Sequence, residues 1–132
     1  MTTIADEQCV LATTFRRDGS PVSTPVWPVP YGDDGRLAFW TSDNAGKAKR
    51  LQHNPTITLQ PCDFTGNVQE GSTVVEGTAT IVTGAEYEVI FAAITAKYGT
   101  EVVDEGLRQA KEYFASRGGA GNDIGIVVTP SG

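Results

Sequence analysis

The sequence is poor in the side chains that most often announce a metal or nucleophile site. Its 132 residues hold two cysteines and one histidine, His53. A zinc site would have to recruit carboxylates around that one imidazole, and neither a His-x-x-x-His nor a paired-cysteine spacing is present, so no metal is expected. Cys9 and Cys62 are far apart in the chain and read as reduced core thiols. Long apolar runs are also missing. The longest, Val89 to Ile94, falls well short of the roughly 20 residues that cross a bilayer, and Met1-Thr2-Thr3 opens no signal region. A cytoplasmic protein with no membrane partner is the expectation. Positive charge is scarce: ten Lys and Arg stand against sixteen Asp and Glu, a net charge of -6. That balance disfavours nucleic acid, whose phosphates need Lys and Arg, and any anionic ligand requires a local basic site. There is no Gly-x-x-x-x-Gly-Lys-Ser/Thr loop. The glycine-rich Arg117-Gly118-Gly119-Ala120-Gly121 follows a helix-like segment and precedes a strand, so it reads as a connector.

What is present is a run of strand signals. With 39% hydrophobic and 20% charged residues, the chain has the balance of a single domain over 1–132. Gln8 to Phe15 is rich in β-branched and apolar residues, and Asp18-Gly19 closes a hairpin onto Pro21 to Val29. Prolines 21, 25, 28 and 30 cannot donate to a ladder, which places that strand at an edge or on a bulge. Asp33-Asp34-Gly35 turns the chain into Arg36 to Thr41. A helix over Ala45 to Gln52, capped by Ser42 or Asp43, stops at Asn54-Pro55. Strands follow at Thr56 to Cys62 and Thr73 to Thr83, the latter with a bulge expected at Gly77. Helical spacing returns over Ala85 to Tyr98 and Asp104 to Ser116, and Asp123 to Thr129 closes as a last strand. The expected class is mainly β: a six-stranded antiparallel barrel, closed or partly closed, with a few helices.

The most informative segment is Trp40 to Leu51. Lys47, Lys49 and Arg50 put three of the ten cations into four positions on one short helix. Unpaired amides at a helix start favour an anion, and the hydroxyls of Thr41 and Ser42 add donors, so a ligand phosphate fits. An exposed helix that carries lysines for solubility has the same pattern. On the edge strand, Pro25, Val26 and Trp27 supply the apolar wall and backbone groups that a flat ring wants, while Trp27 and Trp40 equally suit core packing.

Beyond these patterns, Trp40 to Pro55, with its Thr, its Lys seven residues before Asn-Pro and its Leu before that stop, resembles the flavin-phosphate segment of the pyridoxamine 5'-phosphate oxidase-like split barrels. Ala12 to Trp27, then Leu59-Gln60-Pro61-Cys62-Asp63 and Val75-Glu76-Gly77-Thr78-Ala79, resemble in order the actinobacterial branch that uses the deazaflavin coenzyme F420, the FDOR-B-like proteins. The likeness spans most of residues 9 to 83. It implies a six-stranded split β-barrel and an oxidoreductase that passes a hydride between coenzyme F420 and an unsaturated small organic substrate. It also implies a homodimer with the cofactor at its interface. By the same resemblance Lys47 takes the phosphate-binding lysine's place, Lys49 that of a second basic contact, and Thr41 that of a cofactor-contacting threonine. The oxidases proper carry Ser-Arg just before this lysine. Here Ala45-Gly46 stand there, so two FMN-phosphate ligands are absent, and no pyridoxal-phosphate-binding tail is recognisable near Gly132. Gly46 would let a phosphate approach the backbone. The alternatives are an FMN-binding oxidoreductase on the same fold and a non-catalytic carrier of F420, haem or a bilin.

No catalytic acid is assigned. Glu76 lacks a second carboxylate at fixed spacing and reads as a solvated strand residue. Arg16 and Arg17 read as surface turn residues, and Tyr87, Tyr98 and Tyr113 each fit helix packing.

Overall fold

The computed structural model describes residues 4–32, 34–119 and 121–131. Met1-Thr2-Thr3, Asp33 of the expected turn, Ala120 of the connector and Gly132 lie outside the described residues. A single turn of 3-10 helix, Ile4–Asp6, leads into β1 (Val10–Phe15) and β2 (Pro21–Val26). Then come β3 (Val29–Pro30), β4 (Leu37–Ser42), α1 (Gly46–His53), β5 (Thr56–Pro61) and β6 (Val75–Val82). Two helices, α2 (Ala85–Tyr98) and α3 (Thr100–Ala115), precede β7 (Asp123–Pro130).

Among the described residues there are seven strands, not six. The run expected as one strand from Pro21 to Val29 breaks at Trp27-Pro28, and its two parts pair with different partners. β2 lies antiparallel to β1, with Val10 opposite Val26, while β3 pairs with β4, with Val29 opposite Ala38. The sheet order is β2-β1-β5-β6-β7-β4-β3, so these two consecutive segments form its two opposite edges. A flat seven-stranded sheet would hold its edges roughly 29 Å apart. The three residue steps from Val26 to Val29 span at most roughly 11 Å. The sheet must therefore curl until its edges almost meet, which makes an open barrel.

Side-chain alternation then sorts the core. Leu37 and Phe39 of β4 point into the barrel with Val10, Ala12, Ile57, Leu59, Ile124, Ile126 and Val128, and Ala48 and Leu51 of α1 join this interior. On the outer face of β4 and β7, Ala38, Trp40 and Val127 pack beneath Ile90 and Ile94 of α2 and Val103 of α3. Val89 fits the helical spacing of α2 yet faces outward, 64% exposed.

Two local expectations are corrected. Gly77 makes no bulge: the registers of β5 and β7 against β6 run through it unbroken. Its reason is close approach, since a Cβ there would lie 2.8 Å from both the Thr129 carbonyl oxygen and Val128 Cγ1. The N-cap of α1 is Ala45, without a side-chain cap. Ser42 Oγ accepts the Asn44 N–H instead, at 3.1 Å, and the Asp43 carboxylate reaches across to the N–H of Asn122.

Candidate functional site

The curl and the helices that cover it leave two adjoining hollows. The larger is a groove of about 1040 Å³ between β2, the β4–α1 turn and α3. The smaller, about 260 Å³, is lined by Pro25, Val26, Trp27, Trp40, Phe64 and Ile94, and by Lys47 and Gly106. Trp40, Lys47 and Gly106 border both hollows. All eight residues singled out in the sequence line one or the other: Thr41, Ser42, Lys47, Lys49 and Arg50 the groove, and Pro25, Val26 and Trp27 the recess, which Lys47 also borders.

Charge in the groove is opposite to that of the chain. Lys47, Lys49, Arg50, Lys111 and Arg117 line it, five of the ten Lys and Arg, against the single carboxylate Asp123. Lys47 is the most telling. It is half-buried, and among the described residues it has neither hydrogen-bond nor ion-pair partner. Burial first, and then the nearby Arg50 guanidinium, lower its pKa below the ordinary lysine value. A cation withdrawn from water without a counter-charge is unfavourable unless an anion arrives. The first amides of α1, uncapped by any side chain, border the same space.

Arg50 is positioned more firmly. Its Nε donates to Thr14 Oγ1 of β1 at 2.6 Å. Its guanidinium also folds back over the start of its helix, so a Cβ on Gly46 would lie 2.6 Å from Nη1. The Cβ side of Gly46 is thus occupied by a guanidinium, while Gly46 itself is exposed and lines the groove. One helical turn later in sequence, Arg50 brings a cation to the place where Ala45-Gly46 offer none. Lys49 is exposed at the groove wall, while Thr41 and Ser42 are buried at its floor.

The recess is aromatic. The Trp27 indole stacks on Tyr98, with centroids 5.2 Å apart and planes at 26°, and meets Phe64 edge-on at 6.2 Å. Trp40 meets Phe91 edge-on, and its indole N–H donates to Asp123. The Tyr98 hydroxyl donates to the carbonyls of Gln8 and Pro28, and Lys97 Nζ donates to those of Ala5, Glu7 and Pro28. These bonds pin the crossing between the two sheet edges, and so fix Trp27. Tyr98 is raised well above the ordinary phenol range, mainly by burial. Of the other candidates, Tyr113 lines the groove from α3, while Tyr87 and Tyr98 line neither hollow, Glu76 is exposed outside both, and Arg16 and Arg17 occupy the β1–β2 turn and bond to Ser20 and His53. His53 lines neither hollow, and no cluster of three metal-ligating side chains occurs among the described residues.

Sequence reading missed Val22 and Thr24 of β2 and, apart from Tyr113, the α3 wall, of which Gly106 is the key residue. A Cβ there would stand 3.5 Å from Trp27 Cη2 and 3.7 Å from Trp40 Cζ3. A glycine in the middle of a helix is a signal of such close packing. The far end of α3 is tied down by Asn44, whose amide donates to the carbonyls of Arg117 and Gly119 at 3.0 and 2.7 Å.

No protein of curated function matches the chain significantly. Several solved structures share its fold. An F420 reductase superposes with a TM-score of 0.63 at 16% identity, over 98% of this chain and 91% of that one. HutZ, the heme storage protein of Vibrio cholerae, gives 0.65 at 17%, over 98% and 85%. A pyridoxamine 5'-phosphate oxidase-related, FMN-binding protein of Nostoc punctiforme PCC 73102 gives 0.63 at 16%, over 93% and 70%. At such identities the likeness is one of fold alone. No helix among the described residues is long and apolar enough to cross a membrane. Residues 2–119 match the family model described as pyridoxamine 5'-phosphate oxidase, and the chain belongs to that family.

Proposed function

We propose that the protein binds the deazaflavin coenzyme F420 across the two hollows and passes a hydride between it and an unsaturated small organic substrate. The observation that carries this reading is Lys47, a half-buried cation that has no counter-ion among the described residues and stands where an apolar recess opens into a basic groove. Such a ligand needs a flat apolar slot beside a site for a phosphate. Trp27, Trp40 and Pro25 provide the walls of the slot, and Lys47, Arg50, Lys49 and the floor hydroxyl of Thr41 provide the phosphate site. When bound, the deazaflavin supplies the redox chemistry. The chain orients it, neutralises its phosphate and excludes water beneath α3. Tyr98 is committed to two carbonyls and is not assigned as a proton donor. The functional unit is a homodimer, in which the exposed Val89, Val102 and Tyr113 offer apolar surface to a second copy.

The shared fold with an F420 reductase supports this assignment. FMN is the alternative cofactor. A haem carrier finds less support, because the only imidazole, on His53, lies outside both hollows. Parallel titration with coenzyme F420 and FMN tests the assignment. Saturable F420 binding at least tenfold tighter than FMN, with oxidation of the reduced coenzyme by some member of an acceptor panel, is expected. Tighter FMN binding, or no saturable binding of either, refutes it. Sedimentation equilibrium at the mass of one chain refutes the dimer.

A further inference from the structure

Cys9 and Cys62 are 53 residues apart in the chain, yet the fold sets them face to face. The β1–β5 register pairs Val10 with Pro61, so the two cysteines stand opposite each other one step beyond it. The Cys62 N–H donates to the Cys9 carbonyl at 3.2 Å, and the two Sγ atoms are 3.6 Å apart. Both are free thiols, Cys9 buried and Cys62 half-buried. Opposed residues on antiparallel strands hold their Cβ atoms about 4.5–5.5 Å apart. A disulfide wants about 3.5–4.5 Å and an S–S bond of about 2.05 Å. Rotation of the two side chains with a small inward movement of the strand ends closes that gap without a change of register.

We propose that Cys9 and Cys62 are a dithiol oxidation site, converted to an intramolecular disulfide by hydrogen peroxide and restored by a thiol reductant. Cys62 is the more accessible and meets the oxidant first. Its thiolate attacks one peroxide oxygen and becomes a sulfenic acid. The O–O bond breaks, and the departing hydroxide takes up the proton released from the thiol, giving water. The Cys9 sulfur then attacks the Cys62 sulfur, and the hydroxyl leaves with the Cys9 proton as a second water. Two thiols have lost two electrons and two protons, and one peroxide has become two waters. Burial raises both thiols above their ordinary range, Cys9 to about 12, with Asp63 adding to the shift at each and the Cys9 thiol partly offsetting it at Cys62. The first step is therefore slow, while the second is fast because its partner is already in contact.

The site is placed to be felt at the recess. Cys62 opens the loop that carries Phe64, which stands edge-on to Trp27. Cys9 follows Gln8, whose carbonyl holds the Tyr98 hydroxyl beneath the same indole. The proposal stands whatever the groove binds.

The test treats the full chain with excess hydrogen peroxide, alkylates what remains, and maps the digest by mass spectrometry without reduction. Expected are joint loss of both thiols, a peptide pair joined through Cys9 and Cys62, a whole-chain mass lower by two hydrogens, and full reversal by dithiothreitol. Cys62→Ala should leave Cys9 alkylatable after the same treatment once the chain is denatured. Cys62 accumulating as sulfinic acid while Cys9 stays free would overturn the proposal. So would a disulfide formed only between chains, or no reaction at all.

Discussion

Lys47→Met separates a lysine that waits for a ligand from one that supports the fold. Methionine keeps the apolar stem and removes the charge. In the free protein the ammonium is half-buried, faces the Arg50 guanidinium and has no acid beside it among the described residues. Its removal should leave unfolding free energy unchanged or raise it by up to about 1 kcal/mol, because a desolvated cation and a like-charge repulsion both vanish. Ligand binding should move the other way. Loss of one charge-assisted contact to a phosphate weakens affinity by about 1.5–3 kcal/mol, roughly ten- to a hundredfold. The pH dependence carries its own sign. The unfolded chain holds this proton more tightly than the folded one, since the folded pKa lies below 10.5. The penalty is therefore full at neutral pH and is relieved as pH rises from the folded-state value towards 10.5. Wild type should gain on Lys47→Met as the solution becomes alkaline. Urea unfolding of both proteins from neutral to alkaline pH, with coenzyme F420 titrated at low and high salt, measures all three quantities. A loss of more than about 1 kcal/mol in the free variant, with affinity intact, refutes the reasoning.

Substitutions at three further positions probe the frame around the site. Gly77→Ala forces a Cβ against the Thr129 carbonyl oxygen at 2.8 Å and should destabilise by about 1–3 kcal/mol in urea unfolding; a change below about 0.5 kcal/mol would mean that β7 yields freely. Gly106→Ala places its Cβ in ordinary contact with Trp27 and gains helix propensity, so stability should hold or rise by up to about 1 kcal/mol, whereas Gly106→Leu should fill the recess and abolish ligand binding. Equal titration curves for the leucine variant and wild type would show that the recess is not used. Tyr98→Phe keeps the stack on Trp27 but strips the donor from two carbonyls, and thermal unfolding should report a loss of about 1–2 kcal/mol.

Local pattern was enough to find most elements, because strand alternation and helical spacing are set by near neighbours. α2 runs from Ala85 to Tyr98 as its spacing indicates. What local pattern misses is a change of partner. The alternation from Pro21 to Val29 is continuous, and only the pairing of Val26 with β1 and of Val29 with β4 divides it. The first turn of α3, Thr100 to Val103, is rich in β-branched residues that argue against helix, and burial of Val103 against Ile90 and Ile94 overrides them. The basic side of the site was legible because three of its cations sit within four residues. The α3 wall was not, because its place over the groove depends on distant contacts such as the Asn44 amide on the Arg117 carbonyl. The thiol pair was hidden for the same reason: only the β1–β5 register unites residues so far apart.

The free edges of the sheet have a consequence for how this protein meets others of its kind. Along a strand, alternate residues turn their backbone groups to the same side. Pro21 and Pro25 have no N–H, so the unbroken ladder to β1 requires their side to be the outer one, which leaves Ser23 as the lone amide donor facing outward in β2. The opposite rim is two residues long and ends in Pro30. A foreign strand finds almost nothing there to zip onto, so the fold resists fibrous growth, and any pairing of copies is steered towards side-chain surfaces.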